Sequence, residues 1–138
     1  MKLADLPPAS FWEVVSALRG PDYSSAIEVK WVFTARIRYW VKQIFGLETV
    51  GYGTRSIPLS AADVENAAAQ AKEAMQANAF LHYRDHVLSA LFVLAEFLSG
   101  EDKRECYFLI KLCSLPPEEW AKEYKAYLRE GNWSQPNP

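Results

Sequence analysis

Two histidines lie one helical turn apart in the segment His82-Tyr83-Arg84-Asp85-His86. If this segment is helical, both imidazole rings lie on the same face, because residues four apart are neighbours on a helix. Such a pair can hold a metal ion, share a proton or bind an anion. Zinc takes three or four protein ligands, and the chain has no other histidine. His82 and His86 are therefore weak metal candidates, and the sequence predicts no cofactor.

Arg84, between the two histidines, is the more informative residue. On a helical wheel of residues 80–98 it falls on the apolar side, whereas the histidines lie opposite. A guanidinium among apolar side chains needs a carboxylate or a bound anion to offset the cost of its burial. Two alternatives follow. Arg84 pairs inside the chain, with a carboxylate such as Glu13 or Asp22, or extends to solvent; otherwise it binds an anion in a cleft.

A second group of candidates lies in a basic segment, residues 30–55, which has five cations and one anion. Within it, Gly51-Tyr52-Gly53-Thr54-Arg55 offers backbone N–H groups, a hydroxyl, an aromatic ring and a guanidinium to a phosphate-bearing ligand. It lacks the Gly-Lys-Ser/Thr ending of a P-loop. The alternatives are an ordinary connector between helices and a solvated helix face. The predicted ligand-binding residues are Arg19, Arg36, Arg38, Tyr52, Thr54, Arg55 and Arg84.

Length and composition predict a single domain over residues 1–138 that needs neither metal nor disulfide to fold. Half of the residues are hydrophobic and the net charge is −2. A charge this small gives no general attraction to nucleic acid, and no apolar run approaches the 18 or more residues of a membrane span. No nucleophile elbow is present. Catalysis is therefore not predicted.

The start and stop signals of helices predict an all-α fold, a compact bundle of about six helices. Capping-box patterns occur at Ser10 and Ser25, and glycine or proline interrupts the chain between segments. The predicted helices start near residues 10, 26, 60, 79, 102 and 117, and end near residues 20, 45, 78, 98, 114 and 131. Residues 132–138 are predicted to form a flexible tail.

The segment 29–41 permits two interpretations. Apolar and polar residues alternate along it, as in a half-buried strand, which would make the fold α+β. However, Phe33, Ile37 and Trp40 also form a helical stripe, and the run ends at Gly46 in the manner of a helix. We predict a helix. Trp31 and Trp40 then lie on opposite sides of it, and burial of both favours a homo-oligomer.

The two cysteines, Cys106 and Cys113, are seven residues apart in an apolar helical segment. That spacing separates them by about 10.5 Å along a helix, too far for a disulfide. We therefore expect two free thiols in the core of a protein from a reducing compartment. The N-terminus has no hydrophobic signal core, so a cytoplasmic location is predicted.

Two stretches near the N-terminus, Ala17-Leu18-Arg19-Gly20-Pro21-Asp22 and Phe33-Thr34-Ala35-Arg36-Ile37-Arg38, resemble small uncharacterised proteins encoded by phages and prophages. The resemblance covers about the first third of the chain. It brings no known active-site residues, and it implies a short regulatory or counter-defence protein more than a metabolic enzyme.

The sequence thus predicts a non-enzymatic protein that binds or sequesters a small anionic, nucleotide-like ligand. One alternative is a module that binds or inhibits a host protein through its aromatic-rich surface. Another is a metal-dependent enzyme that uses the histidine pair. The identity of the ligand or partner stays open in each case.

Overall fold

A computed structural model describes residues 2–19, 32–46, 56–76 and 80–130, and these residues form helices connected by short segments, without a strand among them. The predicted all-α bundle is confirmed. The α-helices are α1 (Pro8–Arg19), α2 (Val32–Phe45), α3 (Ala61–Gln76), α4 (Phe80–Ala95), α5 (Gly100–Cys113) and α6 (Trp120–Glu130). Short 3-10 helices, Leu3–Asp5 and Pro117–Glu119, precede α1 and α6.

Helix α2 decides between the two interpretations of its segment. The described part of that segment, residues 32–41, is helical, so the strand alternative is wrong there, while residues 29–31 lie outside the described residues. The reason is the apolar stripe: Ile37, Trp40 and Val41 are fully buried. Gly46 has a φ of 67° and its N–H donates to the Lys42 carbonyl at 2.9 Å, which ends the helix.

Helix α4 is the centre of the bundle, because it packs against α1, α2, α3 and α5. Val87, Ala90, Leu91 and Leu94 are completely buried. Most side chains of α4 on the side predicted to be polar are half-buried, because a helix with neighbours on several sides exposes little of any face. None of the described helices is long and apolar enough to cross a membrane.

Two of the predicted helix starts fall at serines, Ser10 and Ser60, that lie within the described residues. Ser10 was predicted to cap α1, which is wrong: the helix begins at Pro8, and Ser10 lies in its first turn. Proline suits the first helical position because its fixed φ is already helical and its missing N–H would be unpaired there. Ser60 does cap α3. Its N–H donates to Asp63 Oδ2 at 2.8 Å, while the Asp63 N–H donates to Ser60 Oγ at 3.2 Å.

Three other boundaries shift by a few residues. Helix α4 ends at Ala95 rather than near residue 98, and α5 begins at Gly100 rather than near 102. Gly100 has a φ of 59°, which lets the chain turn sharply between these two helices. The segment near residue 117 forms a 3-10 turn before α6 begins at Trp120. The predicted cap at Ser25 and the predicted tail 132–138 lie outside the described residues.

Substitution of the capping serine, Ser60→Ala, is expected to lower the free energy of unfolding by about 1 kcal/mol, because the Asp63 N–H loses its side-chain acceptor. Urea denaturation followed by circular dichroism measures this change. Ser10→Ala is the matched control, since Ser10 lies inside a helix and alanine has the higher helix propensity. Equal destabilisation by the two substitutions would contradict the assignment of the caps.

Candidate functional site

Arg36, one of the predicted anion ligands, is buried inside the bundle with a residual exposure of 1%. It lies on α2 beside the apolar stripe of that helix. Its Cζ atom is 5.1 Å from the ring centroid of Tyr39 and 5.0 Å from that of Trp40, so aromatic faces cover the guanidinium. A fully charged group in such surroundings is tolerated only if its charge is neutralised nearby.

Two carboxylates of α5 provide this neutralisation. Arg36 Nε donates to Glu105 Oε1 at 2.5 Å, and Arg36 Nη2 lies 3.4 Å from Asp102 Oδ1. Asp102 and Glu105 are three residues apart, which places both on the side of α5 that faces α2. The Glu105 side chain is 7% exposed and that of Asp102 is 48% exposed. Of the two carboxylates, Glu105 therefore lies in the core and Asp102 reaches the surface.

The pKa of Glu105 is raised above its ordinary value, mainly because burial disfavours the charged carboxylate. The Arg36 charge and its hydrogen bond oppose this shift, whereas the Asp102 charge adds to it. One guanidinium faces two carboxylates, so the group carries a surplus negative charge when both are ionised. Asp102 is the member of the group through which this charge reaches solvent.

The same group holds the backbone of residues 57–59, which we call the anchored segment. Arg36 Nη1 donates to the Ile57 carbonyl at 3.5 Å, and the Leu59 backbone lies close enough to the Glu105 carboxylate to lower the pKa of that group. From α6, the Tyr124 hydroxyl donates to the Leu59 carbonyl at 2.8 Å. Buried side chains of three helices, Arg36, Glu105 and Tyr124, thus hold the backbone of Ile57 and Leu59 on either side of Pro58.

The side chains of the anchored segment point in contrasting directions. Leu59 is 8% exposed and belongs to the core, whereas Ile57 is 66% exposed. Pro58 between them is exposed and restricts the backbone further, because its ring fixes φ. The structure therefore holds the backbone in place and presents the Ile57 side chain to solvent, an arrangement that can bind an apolar surface.

Arg84 is half-buried, and its ion pair is with its neighbour Asp85, at 3.7 Å between Nη2 and Oδ1. Glu13 does not form that pair, and Asp22, the other carboxylate considered for it, lies outside the described residues. Arg84 Nε is buried without a hydrogen-bond partner. The Arg84 charge also opposes the rise in the pKa of Cys113, so the guanidinium lies within electrostatic range of the last residue of α5, where the helix dipole is negative.

The remaining candidate ligands are not brought to one place by the described residues. Arg38 is half-buried on α2. Arg19 is the last residue of α1, and its side chain is outside the described set. Tyr52, Thr54 and Arg55 also lie outside it, so the predicted phosphate loop stays a prediction. Arg36 and Arg84 engage different carboxylates.

The histidine pair gains no third ligand among the described residues, which contain no group of three histidine, cysteine or acidic side chains able to hold a metal. His86 is half-buried on α4, and the side chain of His82 is not described. His82 and His86 therefore stay weak metal candidates.

Both cysteines are free and buried, as predicted. The Cys106 thiol donates to the Leu91 carbonyl at 3.3 Å, which ties α5 to the central helix. Burial raises the pKa of both thiols, that of Cys113 to about 12. Burial therefore favours the protonated thiol, which is the less nucleophilic form.

Four residues of this site were not predicted from the sequence: Ile57, Asp102, Glu105 and Tyr124. A signal for part of it exists in the sequence. On a helical wheel Arg36 lies about 40° from Trp40, at the edge of the apolar stripe, where a charged residue is conspicuous as Arg84 is on its own helix. The partners are 66 and 69 residues away along the chain, and no local pattern connects them.

No family model matches the chain, and comparisons with curated proteins and with solved structures gave no match.

Substitution of Arg36→Met is expected to lower the free energy of unfolding by about 3–5 kcal/mol, because it leaves the Glu105 carboxylate buried without its cation. The double substitution Arg36→Met with Glu105→Leu removes both charges and should recover most of that loss. Urea denaturation of the wild type, both single variants and the double variant forms a double-mutant cycle. Additive losses would mean that the pair is not coupled.

Proposed function

We propose that this protein is a non-enzymatic binding module that acts on a protein partner through the anchored segment. One observation carries the proposal: Ile57 is 66% exposed on a backbone that buried Arg36, Glu105 and Tyr124 hold in place. Exposed aliphatic side chains are common on protein surfaces and need no explanation singly. A buried ion pair that holds the backbone beneath one of them is unusual, since burial of charge is costly.

Rigid presentation favours binding for a physical reason. Association costs free energy when side chains and loops must be ordered at the interface. Residues 57–59 are already ordered by three helices, so that part of the cost is met when the chain folds. Other large apolar side chains are also exposed, Trp12 at 55% and Leu128 at 60%, and these lie on regular helices, whereas Ile57 lies outside any helix.

The proposal extends to the biological setting that the sequence predicts. A regulatory or counter-defence role is supported by the resemblance to small phage-encoded proteins, since such a role requires binding rather than catalysis. Two free buried cysteines are typical of a reducing compartment, which supports a cytoplasmic site of action. Binding of a protein also needs no cofactor. A homo-oligomer stays part of the proposal, because a second copy of the chain can be the protein that binds the anchored segment.

A small anionic ligand is the second candidate function, and Arg84 is the observation that favours it. The guanidinium has a long ion pair of 3.7 Å and a buried Nε without a hydrogen-bond partner. A phosphate or carboxylate group would complete its hydrogen bonds. Asp85 and the negative end of α5 oppose an anion at this place, which is why this function ranks second.

The substitution Ile57→Ser tests the first function. We expect it to reduce by at least about tenfold the amount of partner protein that co-purifies with the chain from the cells that produce it, because interface anchors of this kind dominate binding. Quantitative mass spectrometry of the bound fraction measures this. Leu128→Ser is the matched control, since Leu128 is similarly exposed on α6. Equal retention of every bound protein by both variants would contradict the proposal.

Thermal unfolding in the presence of a panel of nucleotides tests the second function. If an anion binds at Arg84, one member at saturating concentration raises the midpoint by several degrees, because ligand binding stabilises the folded state. The rise should disappear in Arg84→Gln and persist in Arg129→Gln, which removes an exposed cation of α6. The absence of any shift with the wild type would exclude this function for the nucleotides tested.

A further inference from the structure

Given the proposed function, the surroundings of the anchored segment indicate the chemistry of the partner. The anchored segment is bordered by carboxylates. Asp102 is bound to Arg36, which itself donates to the Ile57 carbonyl, so this carboxylate lies one guanidinium away from the exposed isoleucine. On the other side along the chain, the Asp63 carboxylate accepts from the N–H of Ser60, the residue that follows the segment.

The charge of this border is fixed by the core. Arg36 and Glu105 neutralise each other where they are buried, at 1% and 7% exposure. Asp102 is the additional carboxylate on the same guanidinium and is 48% exposed, so the surplus charge of the group appears at the surface next to Ile57. Asp63 acts on the same place, because its charge raises the pKa of Tyr124, whose hydroxyl binds Leu59.

We infer that the partner surface is an apolar pocket that receives the Ile57 side chain and carries lysine or arginine side chains at its rim, facing Asp102. The isoleucine supplies apolar contact area, and the rim charges supply specificity and a faster association. Cations at the rim remain partly hydrated there, so they avoid the desolvation cost of a buried pair. Arg36, Glu105 and Tyr124 do not touch the partner; they position the residues that do.

A library of random short peptides displayed on phage, selected on the immobilised full chain, provides a probe for this surface. We expect the selected peptides to combine apolar residues with lysine or arginine. A chosen peptide should bind Ile57→Ser at least about tenfold more weakly than the wild type, and Leu128→Ser with unchanged affinity. Asp102→Asn should weaken binding several-fold, and added salt should reduce binding to the wild type more than to this variant.

The outcomes separate the two levels of the proposal. Peptides that depend on Ile57 but have no cationic residues and no response to Asp102→Asn would overturn the cationic rim and leave the proposed function standing. A selection without any Ile57-dependent peptide would overturn both. Sedimentation of the wild type and of Ile57→Ser tests a second copy as the occupant: a dimer lost on substitution would replace the inferred partner with this chain itself. Unchanged thermal unfolding midpoints of Ile57→Ser and Asp102→Asn establish that both variants are folded.

Discussion

The burial of Arg36 is the constraint on which most of the described structure depends. A guanidinium cannot remain in the core without neutralisation, so α2 and α5 must bring Arg36 and Glu105 to within 2.5 Å of each other. Asp102 lies three residues before Glu105, on the same side of α5, so its carboxylate also lies beside the Arg36 guanidinium. Further polar contacts of the group reach residues 57–59, which belong to no helix or strand. The buried guanidinium thereby helps to hold three residues that have no secondary structure of their own.

Arg104 also links two helices, in this case α5 and α6. It donates through Nη2 to the Tyr127 carbonyl, pairs with Glu101 at 3.2 Å and lies with Cζ 4.1 Å from the Tyr127 ring centroid. Tyr127 in turn stacks on Phe108 at 4.4 Å. Arg104 therefore clamps α5 to the last turn of α6, as Arg36 clamps α5 to α2. Helix α5 receives both clamps and contributes the acidic residues to both.

Much of the fold can be predicted from the sequence and little of the site can, because the two depend on interactions over different sequence distances. Helices depend on local signals, such as the apolar stripe of α2 and the reciprocal bonds of Ser60 and Asp63, which a pattern of three or four residues reveals. Ser10 shows the limit of such patterns, since a nearby proline can start a helix earlier. The site depends on contacts between distant residues. A helical wheel marks Arg84 as a charge on an apolar face, yet Arg36 on α2 is the more deeply buried arginine. A helical wheel also cannot show which carboxylate on another helix will pair with either residue.

The anchor also bears on the order in which the molecule assembles. The Arg36–Glu105 contact joins residues 69 apart in sequence, and its loop must close before the contact is formed. Helices α4 and α5 are adjacent in sequence and need no such closure to pack together. Residues 57–59 are held by side chains of α2, α5 and α6, whose contacts all join residues distant in sequence. The surface at Ile57 therefore depends on the packing of these three helices and on no single helix alone.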